Sequence, residues 1–277
     1  MSVNKDPEGR RSVQTEVIVP GTPEEVWQAI ATGPGISAWF VPTKVEGREG
    51  GAVTANFGPG MDSVAKVVKW EPPQRFVAES RDDMGPEDPT IATEWIVEAR
   101  DGGTCLVRVV HSWQTASDKW DQQFEGHSHG WKAFFRILKL YLTHFRGQSS
   151  ALVQLNGIAA GEKADAWAKL TESLGLGPVA AGQPFRTAPP APAASGMVER
   201  VGEAAFPEEL LLRFEAPAPG VAHLFAMAMG GSIFVSVRLF FYGDPASVAK
   251  AAASEEPQWQ AWIAQLFPPL SGAPISC

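Results

Sequence analysis

Residues 19–42 read VPGTPEEVWQAIATGPGISAWFVP, and the starts and stops inside this stretch decide how the chain on either side is read. Pro20 and Gly21 end an extended segment. Thr22 offers a hydroxyl to cap a helix, and Pro23 suits the first helical position because its missing N–H would go unused there anyway. Glu25 completes a Thr-x-x-Glu capping box ahead of Val26, Trp27 and Ile30. Gly33, Pro34 and Gly35 stop that helix, and a second short helical turn carries Ile36, Trp39 and Phe40 before Pro42. The stretch predicts a helix-loop-helix that follows directly on a strand.

Upstream, Val13, Thr15, Val17 and Val19 alternate with Gln14, Glu16 and Ile18, the period of two of a half-buried strand. Downstream, Thr43 to Trp113 reads as a meander broken by turns at Arg48–Gly51, Gly58–Gly60, Glu71–Pro73 and Asp101–Gly103. Such short connections imply antiparallel pairing. In the last strand Cys105, Val107, Val109, His111 and Trp113 share a face, and Trp95, Val97 and Ala99 mark one face of the strand before it. After Asp118 the period changes: Trp131, Phe134, Phe135, Leu138, Leu142 and Phe145 recur at helical steps, with Lys132, Arg136, Lys139 and Arg146 between them, up to Gly147.

The same order then recurs. Ser150–Asn156 reads as a strand, Glu162–Leu174 as a helix, and Glu209–Phe214, Val221–Ala228 and Ser232–Tyr242 as strands. A helical tail runs from Asp244 to Phe267, with Pro257 expected to break or kink it. Trp27 and Trp167 take equivalent places, which suggests an internal repeat with a degenerate second copy. Gly175–Gly196 is rich in Pro, Ala and Gly, and Thr187–Ser195 reads as a long loop. The expected domains are 1–148 and 149–277, a division that suits 277 residues.

The quoted stretch, together with GGAVTANFG at Gly50–Gly58, WEPPQRFVAES from Trp70 and GWKAFFRILKLYL from Gly130, resembles the activator of heat-shock protein 90 ATPase homologue family. That family is a branch of the SRPBCC (START-like, Bet v 1-like) superfamily, and the resemblance implies a bacterial-type protein. The resemblance covers residues 13–146, whereas the second half shares only element order and a few anchors. It implies an α+β fold of two helix-grip domains, each a curved antiparallel sheet wrapped around a long C-terminal helix. It also implies relatives that bind apolar ligands in the cavity or serve as protein-interaction modules, a choice that fold alone does not make.

A formal charge of -8 disfavours nucleic acid and anionic membranes as partners, since both demand surplus Lys and Arg. The polar N-terminus and the absence of a long apolar run point to a cytoplasmic protein. Two cysteines, Cys105 and Cys277, write neither a disulfide framework nor a zinc site. His127 and His129 near Glu125 invite a metal, but residues two apart diverge on a helix, so no metal is expected. The acidic turn of Asp82, Asp83, Glu87 and Asp88 reads as a solvated loop. No phosphate cradle, nucleophile elbow or cofactor motif is present, and no cofactor is expected.

Ten tryptophans in the chain direct attention to the space between sheet and helix. Trp39, Phe40, Trp70, Phe76, Trp95, His111, Trp113, Phe124, Trp131 and Phe135 are the candidate ligand-binding residues, and the same residues would serve a packed core. The expectation is non-catalytic binding of a small apolar or aromatic ligand in the first domain. The alternatives are a protein-interaction module with a filled cavity, possibly chaperone-linked, and a cyclase-like enzyme in which His111 works with a carboxylate such as Glu94. Glu94 alternates with Trp95, which turns it outward and weakens the last alternative.

Overall fold

Strand β2 (Arg10–Pro20) follows the alternation into the structure: Arg11, Val13, Thr15 and Val19 are buried, while Gln14, Glu16 and Ile18 face solvent. The computed structural model describes residues 4–6, 10–58, 60–81, 90–114, 121–229 and 231–268, with the backbone alone described at 114, 121–129 and 229. The chain divides into two compact units, residues 1–147 and 148–277.

In the first unit β1 (Asn4–Lys5) and β2 lead to α1 (Pro23–Ala31), which opens on the expected capping box. The Glu25 amide donates to Thr22 Oγ1 at 3.3 Å, and the Thr22 amide donates to Glu25 Oε2 at 2.9 Å. Helix α2 (Gly33–Ser37) follows at once and crosses α1 so closely that a Cβ on Gly35 would stand 1.9 Å from the Gln28 carbonyl oxygen, which only glycine permits. Six strands complete the sheet: β3 (Thr43–Val45), β4 (Ala52–Asn56), β5 (Asp62–Glu71), β6 (Arg75–Ser80), β7 (Ile91–Arg100) and β8 (Thr104–Gln114). The strand order is β1-β2-β8-β7-β6-β5-β4-β3, antiparallel throughout. Helix α3 (Asp121–Leu140) packs on β2 and ends in a π-helical turn, Tyr141–Phe145. Arg146, just beyond it, reaches Glu25 Oε2 at 2.6 Å and pins the end of the long helix to the start of α1.

The second unit repeats the plan with two strands and one helix fewer. Its elements are β9 (Ser149–Ala159), α4 (Lys163–Ser173), β10 (Pro184–Arg186), β11 (Ser195–Glu203), β12 (Phe206–Ala216), β13 (Gly220–Met229), β14 (Ser232–Gly243) and α5 (Pro245–Leu266). The order β10-β11-β12-β13-β14-β9 again sets the first strand beside the last and runs the others backward from there. Both units are therefore α+β, each a large antiparallel sheet paired with a long helix, the tandem helix-grip architecture. Leu212, Phe214, Val237 and Phe241 of the second sheet pack with Trp259, Trp262 and Ile263 of α5.

One expectation fails here, and one strand was not anticipated. Pro257 does not break the terminal helix: α5 continues through it. Proline removes the N–H that would bond the Ala253 carbonyl, but Ala253 and Pro257 are both exposed, so water can take the freed oxygen. Trp259, Trp262 and Ile263, buried just beyond, hold the last turns in place. The Pro/Ala/Gly-rich passage also contains β10, paired with the start of β11, so residues 187–194 form a hairpin loop rather than a bare excursion. Thr187 Oγ1 donates to the Pro192 carbonyl at 2.7 Å and accepts from the Ala194 amide at 2.7 Å, which closes that loop on itself. The acidic turn at 82–88 and Cys277 lie outside the described residues.

Candidate functional site

The register of the first sheet arranges its concave face in rows. Because Val13 faces His111, His111 faces Thr93 and Thr93 faces Ala78, these four side chains form one transverse row. Toward the β2 C-terminus the next row is Thr15, Val109, Trp95 and Phe76; toward its N-terminus it is Arg11, Trp113, Ile91 and Ser80. Farther along, Val17, Val107 and Val97 are wholly apolar. The face thus runs from an aliphatic floor, through aromatic residues, to a polar end.

Seven of the ten candidate side chains converge. Trp39 and Phe40 arrive from the turn after α2, Phe76 and Trp95 from β6 and β7, His111 from β8, and Trp131 and Phe135 from α3. Phe40 stacks on Trp131 with centroids 5.0 Å apart, Trp95 meets Trp131 edge-on at 5.1 Å, and Phe76 stacks on Trp95 at 6.0 Å. Trp39 is fully buried, donates its indole N–H to the Ala29 carbonyl at 2.9 Å, and touches both Trp95 and Phe135. Trp131 is the half-buried member. Trp70 belongs to an adjoining group, edge-on to Trp27 at 5.1 Å and joined to the cluster through Phe76. Trp113 is buried one row away, beside His111 and opposite Arg11. The Phe124 side chain, like those of His127 and His129, lies outside the described residues. Phe57 and Phe134, which both pack edge-on against Phe40, were not anticipated, nor was Arg11.

The hydrogen bonds fix the state of His111. The Trp131 indole can only donate, and it donates to His111 Nε2, so that nitrogen carries a lone pair. The proton of the neutral ring is then on Nδ1, directed at Thr93 Oγ1 at 3.0 Å. A 9% exposed imidazole is thereby hydrogen-bonded at both ring nitrogens. Glu94 is on the opposite face, where its carboxylate is engaged by Arg75. The particular pair of His111 with Glu94 is therefore not formed.

Other polar features are self-contained. An open cleft of about 540 Å³ lies away from the aromatic cluster, between Pro23 and Glu24 of α1, Pro73 of the β5–β6 turn, and Ile96 and Ala99 of β7. Its carboxylates pair with neighbouring cations, Glu71 with Lys69 and Arg75, and Glu98 with Arg100 and Arg108. In the second unit, His223 Nε2 lies 3.0 Å from Glu209 Oε1, and Arg238 sits over the Phe225 ring at 5.0 Å with burial pushing its pKa down to about 10. Among the described residues no group of three or more His, Cys, Asp or Glu could hold a metal ion, and no helix is long and apolar enough to cross a membrane.

A concave sheet, a long helix closed over it and an aromatic lining define a helix-grip protein of tandem build. The family model described as Activator of Hsp90 ATPase homolog 1-like protein matches residues 20–143, within the first unit. Similar solved structures include CalU16 from Micromonospora echinospora, 22% identical over 50% of this chain and 80% of that one, with a TM-score of 0.40. DynU16 from the dynemicin biosynthetic locus is 17% identical over 92% of this chain and 96% of its own, with a TM-score of 0.42. The di-domain ARO/CYC BexL from the BE-7585A biosynthetic pathway is 15% identical over 92% and 93%, with a TM-score of 0.43. No curated protein matches the chain. At these identities neither ligand nor activity passes from those proteins to this one.

Proposed function

We propose that the first unit is a non-catalytic binding domain for a small aromatic or apolar molecule, held between the concave face of its sheet and α3. The carrying observation is the convergence of Phe40, Trp95 and Phe135 on Trp131, which in turn donates to His111. It combines broad apolar rings with one oriented polar ring, and Trp131 keeps one side open. The second unit, with the same strand order and an apolar concave face, acts as a degenerate partner that stabilises the chain or contacts another protein. Native mass spectrometry against the denatured mass, followed by thermal shift with apolar and aromatic compounds, tests the binding reading. A retained ligand, or stabilisation that grows with ligand concentration as mass action requires, supports it.

A second reading has its own observation. Ring centroids 4.5–6.2 Å apart leave the described rings touching one another, and Phe57, Met61, Val64 and Val68 are exposed along the β4–β5 hairpin. A protein that is empty and indifferent to every compound favours an interaction module that uses this surface.

A further inference from the structure

The two sheets end in strands of very different design. Strand β1 has two residues and carries Lys5, β3 has three and carries Lys44, and β10 is Pro184–Arg186. Beyond β1 the edge of the first sheet continues along β2, which carries Glu16 and ends at Pro20. Short length, charge and proline are the means by which sheets keep an unpaired edge from recruiting another strand. Strand β9 uses none of them. It is the outermost strand of the second sheet, 11 residues long, and its sequence SSALVQLNGIA holds neither charge nor proline. Its register with β14 runs unbroken from Ser149 to Ala159, so no bulge turns it aside.

The direction of its outer backbone groups follows from one hydrogen bond. The Tyr242 amide donates to the Pro219 carbonyl at 2.9 Å, so the even-numbered residues of β14 bond toward β13 and the odd-numbered ones toward β9. Phe241, Leu239, Val237 and Val235 thus bond with Ala151, Val153, Leu155 and Gly157. The N–H and C=O groups of Ser150, Leu152, Gln154, Asn156 and Ile158 point out of the sheet, and among the described residues no hydrogen bond reaches them. Helix α5 covers the concave face of β9, where Phe267 lies against Gly157. The side chains beside the outward groups keep access to water: Asn156 is exposed, and Leu152, Gln154 and Ile158 are half-buried.

We propose that this edge pairs with β9 of a second copy of the chain, antiparallel about a two-fold axis at Gln154. Two features select a second copy. Strand β9 is itself an uncharged, proline-free strand of matching length, so self-pairing sets no like charges opposite one another even though each chain carries a net charge of -8. An antiparallel pair is also its own symmetry mate. With the axis at Gln154, Leu152 meets Asn156 and Ser150 meets Ile158 of the second copy, so every outward N–H and C=O gains a partner. One strand pair buries less than the roughly 1,200 Å² of a stable interface, which makes the association reversible and concentration-dependent. The inference is independent of the binding proposal.

The test is sedimentation velocity of the full chain at loading concentrations from about 1 to about 200 μM, a range that brackets a weak interface. The wild type is expected to pass from monomer to dimer with a Kd of about 1–100 μM. Gln154→Pro removes an N–H that β14 does not use, at an edge position where a strand tolerates proline. It should weaken dimerisation at least about tenfold and leave the melting of the second unit in place. Asn156→Lys sets an ammonium on the uncharged edge, against Leu152 of the second copy; it should have the same effect, and it decides if the proline variant fails to fold. A wild type that stays monomeric at the highest concentration overturns the proposal, and so does a dimer that the folded variants leave intact.

Discussion

Replacing Trp131 by Phe tests whether the aromatic cluster is built around the His111 hydrogen bond or merely packs beside it. Phenylalanine keeps one ring against Phe40 and Trp95, which stand 5.0 and 5.1 Å from the indole, but it cannot donate to His111 Nε2. Depriving a buried acceptor of its donor costs about 1–3 kcal/mol. The smaller ring adds about 1 kcal/mol, taking roughly 40 Å² of lost apolar contact at 25 cal/mol per Å². The sum is about 2–4 kcal/mol. In a His111→Phe background only the packing part should remain, so the double-mutant cycle should show a coupling of about 1–3 kcal/mol. Urea unfolding followed by tryptophan fluorescence measures all four proteins, with a separate transition fitted to each unit because a two-unit chain need not unfold in one step. Nitrogen-15 NMR of the wild type should also show the His111 proton on Nδ1. A coupling indistinguishable from zero, or a proton on Nε2, would refute the reasoning.

Glu25 is held below its ordinary carboxylate pKa first by the Thr22 amide and then by Arg146. The stability it contributes is present above its unfolded pKa and is lost as pH falls through the folded one, so Glu25→Gln should flatten the acid limb of the first unit's stability curve in urea titrations at several pH values. Glu255 behaves oppositely: burial raises its pKa, despite the 3.2 Å bond from Trp259 Nε1. Its folded state favours the proton and loses stability as pH rises through the carboxylate range, so Glu255→Gln should raise the melting temperature of the second unit at pH 8 and leave it unchanged at pH 4. Pro257→Ala should raise the same transition, by about 1–3 kcal/mol, because it returns an N–H to an exposed stretch of a helix that already continues through the proline; no change in a thermal melt would mean that the Ala253 carbonyl gains nothing from the restored bond.

Most of the first unit was legible because its signals are local. The capping box at Thr22 and Glu25, the alternation of β2 and β8 and the helical steps from Trp131 each follow from covalent geometry, with no knowledge of what packs against them. Strand β11 was not legible. Its pairing with β12 shifts register between Ser195 and Gly196, between Val198 and Arg200 and between Val201 and Glu203, so the period of two never lasts long enough to be read. The site divides in the same way. Periodicity says which face a side chain takes, and it placed Trp95, His111 and Trp113 together. It does not say whether facing rings touch, which depends on the distance from helix to sheet. Arg11 was within reach of the alternation that begins at Val13, two residues earlier on the same face, but a charged residue at a strand end is ordinarily read as solvated.

The contrast between the two concave faces is the strongest reason to assign recognition to the first unit. Both sheets have the same strand order, so both could in principle enclose a ligand. The second lines its core with Val153, Leu155, Leu210, Leu212, Leu224, Val235 and Leu239, and its polar groups Glu209, His223 and Arg238 leave that core set entirely. These aliphatic side chains pack with Phe185, Phe214, Phe241, Trp259 and Trp262 into one apolar interior. The first sheet places an imidazole and a guanidinium in two adjacent rows of its concave face, next to the aromatic cluster. Buried polar groups are costly to keep without partners. His111 has its partners in Thr93 and Trp131, and this oriented imidazole beside the ring cluster is what supports placing recognition of an aromatic ligand in the first unit.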